Sequence, residues 1–138
     1  GPVGLVLAGR PAGDLRVLVT PLYVDALPSL TTHALELIAA ARAGGAAREA
    51  RSSAPRVAAL INCGFPEAEQ TRTAMRVARH FAGQAGYVWA GGLPLGGGGA
   101  VSPTAALDKP AGAEANVVRA LDDAVPALAA TGAIPVHA

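Results

Sequence analysis

Val17-Leu18-Val19-Thr20-Pro21-Leu22-Tyr23-Val24-Asp25-Ala26-Leu27-Pro28 is a β-branched apolar run that stops in a proline-bracketed turn bearing an aromatic ring and a carboxylate. Such a run reads as a buried strand, and open α/β sheets place their ligands where strands of this kind empty at their carboxyl ends. The same pattern recurs at Val57-Ala58-Ala59-Leu60-Ile61-Asn62-Cys63-Gly64-Phe65-Pro66-Glu67. It recurs again where Tyr87-Val88-Trp89-Ala90-Gly91-Gly92-Leu93 enters a glycine-rich stretch. Three junctions of one kind predict one shared crevice.

Between and beyond the junctions the chain alternates. Val3 to Ala8 and Leu15 to Thr20 read as short strands. The six positions between them are fewer than the roughly ten to twelve a parallel crossover needs, so the two strands pair as a hairpin or lack a connecting helix. From Leu27 to Ala43, Leu30, Ala34, Leu37, Ile38 and Ala41 fall at the spacing of one helical face, with Ser29 or Thr31 as cap and Gly44-Gly45 as stop. After the strand Arg56 to Asn62 a second helix is predicted from Pro66 to about Ala82. Pro66 suits its first position, Glu67 and Glu69 its positive end, Arg79 and His80 its other end, and Ala74, Met75, Ala78, Phe81 and Ala82 its buried stripe. A strand from Tyr87 to Leu93 and a loop from Pro94 to Gly112 precede a last helix, which turns Val117, Val118, Leu121, Val125 and Leu128 inward and is bent at Pro126. Strands without a wet face, alternating with helices, predict an α/β fold with a mainly parallel sheet covered on both sides.

Composition narrows the class. The 138 residues, 51 % of them hydrophobic, are enough for one domain with a continuous core, residues 1–138 together. A net charge of +1 without a run of basic residues argues against nucleic acid as a partner. No apolar stretch approaches the ~20 residues that span a bilayer, so no membrane association is expected and the cytoplasm is the expected location. The single Cys63 excludes an intrachain disulfide. The chain opens Gly1-Pro2 and its one methionine is Met75, so the expectation is that residues are missing upstream or excised within.

Prolines at both ends stiffen the 21–28 turn, so its amides and Tyr23 can be held against a flat ligand; alternatively Tyr23 plugs the end of the core and Asp25 caps the next helix. The 62–67 turn offers amides at Cys63, Gly64 and Phe65 before a helix amino end, suited to electron-rich ligand atoms. Glu67 reads as a dipole partner and the Cys63 thiol as packing rather than as a nucleophile. Gly91-Gly92-Leu93-Pro94-Leu95-Gly96-Gly97-Gly98-Gly99 lacks the Lys-Ser/Thr of a P-loop and the spacing of a dinucleotide fingerprint. Its glycines therefore permit close approach of a ligand or partner backbone, or a mobile lid. His33, His80 and His137 have no ligand-spaced neighbours, so no metal is expected, and Ser102 lacks a nucleophile elbow. No catalytic acid, base or nucleophile is assigned.

Taken together, the stretches 20–28, 62–70 and 89–99 resemble the flavodoxin-like NAD(P)H-dependent FMN reductases, over roughly Leu15 to Gly132. The resemblance implies a flavodoxin-like three-layer α/β sandwich with FMN at the carboxyl ends of the strands. Pro21, Leu22, Tyr23, Val24 and Asp25 would flank the isoalloxazine, while Asn62, Cys63, Gly64, Phe65 and Glu67 would meet its edge. Gly91 and Gly92 would border the pocket or a subunit contact. It further implies an oxidoreductase, commonly dimeric, that passes hydride from NAD(P)H through FMN to a small flavin, quinone or similar substrate. One part of the family pattern is missing, the Ser/Thr-rich phosphate loop and the first helix it opens: Gly9 to Asp14 contain no Ser or Thr and too few positions, so against the family the first βα unit is truncated or absent. FMN is then held weakly or has been lost, and a homo-oligomer or a partner chain completing the sheet is expected. The alternative is a flavin-free domain of the same fold, serving as a binding or assembly module or catalysing a non-redox step on a small hydrophobic substrate.

Overall fold

The structure, a computed structural model, describes residues 6–8, 15–43, 54–100 and 110–134. Its strands are β1 (Val6–Ala8), β2 (Leu15–Pro21), β3 (Arg56–Asn62) and β4 (Val88–Leu95), and its helices α1 (Ser29–Ala43), α2 (Arg72–Gln84) and α3 (Ala113–Thr131). The sheet order is β1-β2-β3-β4, with β2, β3 and β4 parallel and β1 antiparallel to β2. Of the two arrangements open to the first strands, antiparallel pairing is the one found.

Right-handed crossovers that step in one direction across a sheet put successive helices on one face. Accordingly α1 and α2 pack together over Leu18, Ala59 and Ile61, whereas α3 covers Ala58, Ala90, Leu93 and Leu95 on the opposite face. The result is an α/β three-layer sandwich with a mainly parallel sheet, as the pattern of the chain predicts. On the α3 face Val17 and Val19 of β2 stay only half-buried.

A β-bulge sets this layering. Between the pairs Val57–Trp89 and Ala59–Gly92, β4 spends Ala90 and Gly91 opposite the single Ala58 of β3. Gly91 takes φ +105°, a conformation side chains disfavour. The extra residue shifts the strand's alternation by one, turning Leu93 and Leu95 toward α3 while Gly92 faces Met75 of α2. β4 also runs two residues beyond Leu93. Pro94 is tolerated because β4 is an edge among the described strands, where its missing N–H breaks no ladder.

Each helix departs from the expected pattern for a physical reason. α1 buries Thr31 and Leu35 and packs Ile38 and Ala39 inward, leaving Leu30 and Leu37 exposed. With apolar residues on nearly every side, periodicity does not choose its rotation. A buried hydrogen bond between Thr31 and Thr20 (3.1 Å) at one end and Arg42 Nε donating to the Ala85 carbonyl (2.6 Å) at the other place residues 31, 35, 38 and 42 on the inner stripe. α2 begins at Arg72, not Pro66. The carbonyls of Phe65 and Glu67 accept from the Cys63 thiol (3.3 and 3.4 Å), which folds 63–67 into a tight turn, and a 3-10 turn Ala68–Thr71 intervenes. Arg79 and His80 are not in its last turn; Arg42 of α1 donates to the Ala85 and Gly86 carbonyls just past its end. In α3 Val125 is outward, and Ala120 and Ala124 join Val117, Leu121 and Leu128 against the sheet. The expected segments at 44–53 and 101–109, with Ser102 and His137, lie outside the described residues.

Candidate functional site

Pro21, Asn62 and Leu95 stand at one level across β2, β3 and β4, so the segments following them leave the sheet at the same end. Leu22 N–H donates to Asn62 O (2.7 Å) and Cys63 N–H to Leu95 O (2.9 Å), carrying the sheet one step further. Beyond that level the chain turns sharply. Tyr23 and Ala26 exchange main-chain hydrogen bonds (2.9 and 3.0 Å) around Val24 (φ +49°) and Asp25 (φ +59°), a type I′ turn in which both central residues are left-handed. That turn normally takes Asn-Gly. A β-branched valine there stores on the order of 1–3 kcal/mol of strain, which the rest of the structure must offset.

Leu22 and Leu27 hold the turn by packing on the core, while Tyr23 is 48 %, Val24 98 % and Phe65 62 % exposed. Tyr23 therefore does not plug the core, and Asp25, exposed in the left-handed region, does not cap α1, whose first turn instead has Thr32 donating to Pro28 O (3.0 Å). The strain lies where apolar side chains project into solvent, which makes this turn the candidate binding surface. Val24→Asn is expected to raise stability by about 1 kcal/mol, because asparagine tolerates the left-handed region. A thermal melt shifted upward by a few degrees would show it; a downward shift would contradict the strain.

The 62–67 turn contributes less than its sequence promises. Cys63 is buried, its thiol bonded to two carbonyls and its N–H and C=O engaged with Leu95 and Gly98, so it offers a ligand neither group. Gly64 and Phe65 remain: their N–H groups have no main-chain acceptor among the described residues, and both residues are exposed beside Glu67. Gly91 and Gly92 are not at this end. They sit in the middle of β4, level with Ala59, where a side chain on Gly91 would strike Ile134 and one on Gly92 would strike Met75.

Gly96 to Gly99 take their place, and they pack against this chain's own backbone. Gly97 N–H donates to Phe65 O (2.6 Å) and Gly98 N–H to Cys63 O (2.8 Å). A Cβ on Gly99 would lie 3.3 Å from Gly64 O. These contacts explain the glycines without a phosphate, since the amides of Gly97 and Gly98 are already spent. The strained turn and the Gly96–Gly99 contact could not be read from sequence: Val-Asp carries no turn signature, and the partner of a glycine run lies far away in the chain. Among the described residues no cluster of His, Cys, Asp or Glu forms a metal site, and no helix is long and apolar enough to cross a membrane. No protein-family model, curated protein or solved structure matches this chain.

Proposed function

We propose that the crevice holds the ring system of FMN and that the protein is an NAD(P)H-dependent oxidoreductase acting on a small flavin, quinone or similar acceptor. The observation that carries this reading is the strained 23–26 turn, which presents Tyr23 and Val24 at the sheet end where Phe65 projects and the Gly64 and Phe65 amides are unspent. A flat, largely apolar ring with polar edge atoms suits that surface. Pro21 to Asp25 would lie along the ring, and Gly64 and Phe65 would donate to its edge. The phosphate fits less well, because among the described residues the glycine run has given its amides to the neighbouring turn. When bound, FMN supplies the hydride chemistry; the chain's residues orient the ring and keep water from one side of it. The half-buried Val17 and Val19 further support assembly with a second copy or a partner chain. The cytoplasm is the proposed setting.

The occupied Gly97 and Gly98 amides favour a second reading, a flavin-free domain that binds a small hydrophobic molecule at the same place. The absorption spectrum of the purified protein and a titration with FMN and riboflavin decide between them. The proposal expects visible flavin bands or binding, near-equal affinity for the two flavins, and a roughly tenfold loss for Tyr23→Ser through lost ring stacking. Oxidation of NADH or NADPH should depend on added FMN. No flavin binding at millimolar concentration would overturn the proposal and leave the second reading.

A further inference from the structure

We infer that the outward face of α2 carries a second site, for a small phosphate-bearing anion, at the opposite end of the molecule from the crevice. α2 runs back from the carboxyl ends of the strands, so its later turns lie at the far end of the sheet. The segment Arg72–Gln84 contains no Asp or Glu, and its outer side presents Arg72, Arg76, Arg79 and His80, all exposed. None of the four is ion-paired among the described residues, where the recorded pair is His33 with Glu36. The guanidinium groups of Arg72 and Arg76 stand four residues apart on the helix and those of Arg76 and Arg79 three, and such pairs repel by roughly 0.2–0.5 kcal/mol each. A chain of net charge +1 has thus gathered unpaired positive charge on one helix, and a bound anion relieves that repulsion.

Two further observations make this face a site rather than a solvated stripe. Arg76, Arg79, His80, Gly83 and Gln84 line a shallow, solvent-open depression of about 590 Å³. Gly83 is the last residue but one of α2, a helical position where glycine has no conformational advantage over alanine, and a Cβ there would meet nothing within 4 Å. Packing therefore does not require a glycine at this position. Its missing side chain keeps the floor of the depression open between the arginines and Gln84, so that a ligand can approach the helix backbone. A helix carboxyl end ordinarily disfavours an anion, but here Arg42 reaches over from α1 and binds the Ala85 carbonyl (2.6 Å) and the Gly86 carbonyl (3.4 Å). Paired guanidinium groups beside an amide select phosphoryl oxygens, which accept forked hydrogen bonds, over single-point anions.

The test is calorimetric titration of the full chain with inorganic pyrophosphate at low salt, alongside thermal melts. Binding is expected to weaken about tenfold for Arg76→Ala and for Arg79→Ala, the scale of one charge-assisted hydrogen bond. Gly83→Ala is the sharper variant: it should raise the melting temperature while weakening pyrophosphate several-fold. Tyr23→Ser, which alters the crevice, should leave pyrophosphate binding unchanged, so failure of this site and failure of the flavin proposal are separable. The inference is overturned if pyrophosphate does not bind, if Gly83→Ala or the arginine variants leave its affinity unchanged, or if polyglutamate binds this face and pyrophosphate does not.

Discussion

Gly96→Ala is expected to destabilise the protein by about 3 kcal/mol, the upper range for an over-packed buried contact, and to lower the melting temperature by roughly 10 °C. The reason is the partner. A Cβ at Gly96 would overlap the Pro66 carbonyl oxygen and come within 2.8 Å of its carbon and 3.1 Å of the Ala68 nitrogen. All three are backbone atoms, so no rotamer change relieves the overlap, and the 62–68 turn would have to move off the glycine run. That movement would strain the bonds from Gly97 to Phe65 and from Gly98 to Cys63. Gly64→Ala, in the opposing loop, is the matched control: nothing lies within 4 Å of its would-be Cβ, and its effect should stay within about 0.5 kcal/mol. Chemical denaturation of both variants measures the difference. Equal stability for the two would mean that the loops are not packed as described.

Arg42→Ala is expected to cost about 2–3 kcal/mol, with a fall of roughly 6–9 °C in melting temperature. The guanidinium donates to the carbonyls of Ala85 and Gly86, just beyond the end of α2, where main-chain acceptors have no helical donor. It also lies 4.1 Å from the centre of the Tyr87 ring, which in turn packs on Phe81 at 5.9 Å. A charged hydrogen bond contributes about 1.5–3 kcal/mol and a cation over an aromatic face about 0.5–2 kcal/mol. The two are not additive, since one side chain makes both. Arg42→Lys keeps the charge but loses the planar fork, and should recover less than half of the stability. Full recovery by lysine would show that charge alone was at work.

Arg42 also shows why helix rotation was hard to read. Leu30, Ala34, Leu37, Ile38 and Ala41 make a plausible inner face for α1, and nothing local disfavours it. What decides is two polar contacts to other elements, Thr31 to Thr20 and Arg42 to Ala85, separated by 11 and 43 positions in the chain. A periodicity argument counts apolar residues and is blind to polar groups that must be satisfied once buried. α2 is the opposite case. Its small and aromatic residues at 74, 78, 81 and 82 stand against a strongly charged outer side, and all four are buried.

The candidate site divides in the same way. Strand ends followed by proline- and glycine-marked turns were legible, and they place Tyr23, Gly64 and Phe65 at one end of the sheet. The exchange of Gly91 and Gly92 for Gly96 to Gly99 was not legible, because β4 continues through Pro94 to Leu95, paired with Ile61 and Asn62 of β3, before its turn begins.

By itself the sequence determined the alternation of strands and helices, the β3 span from Arg56 to Asn62, the parallel class of the sheet and the end at which its turns gather. Each follows from hydrophobic patterning and turn residues acting over neighbouring positions. Only the tertiary structure decided the rotation of α1, the antiparallel start of the sheet, the bulge that turns Leu93 and Leu95 toward α3, and the left-handed Val24-Asp25 turn. These rest on hydrogen bonds and close backbone contacts between residues far apart in the chain, and their strain is offset only once the whole core has formed.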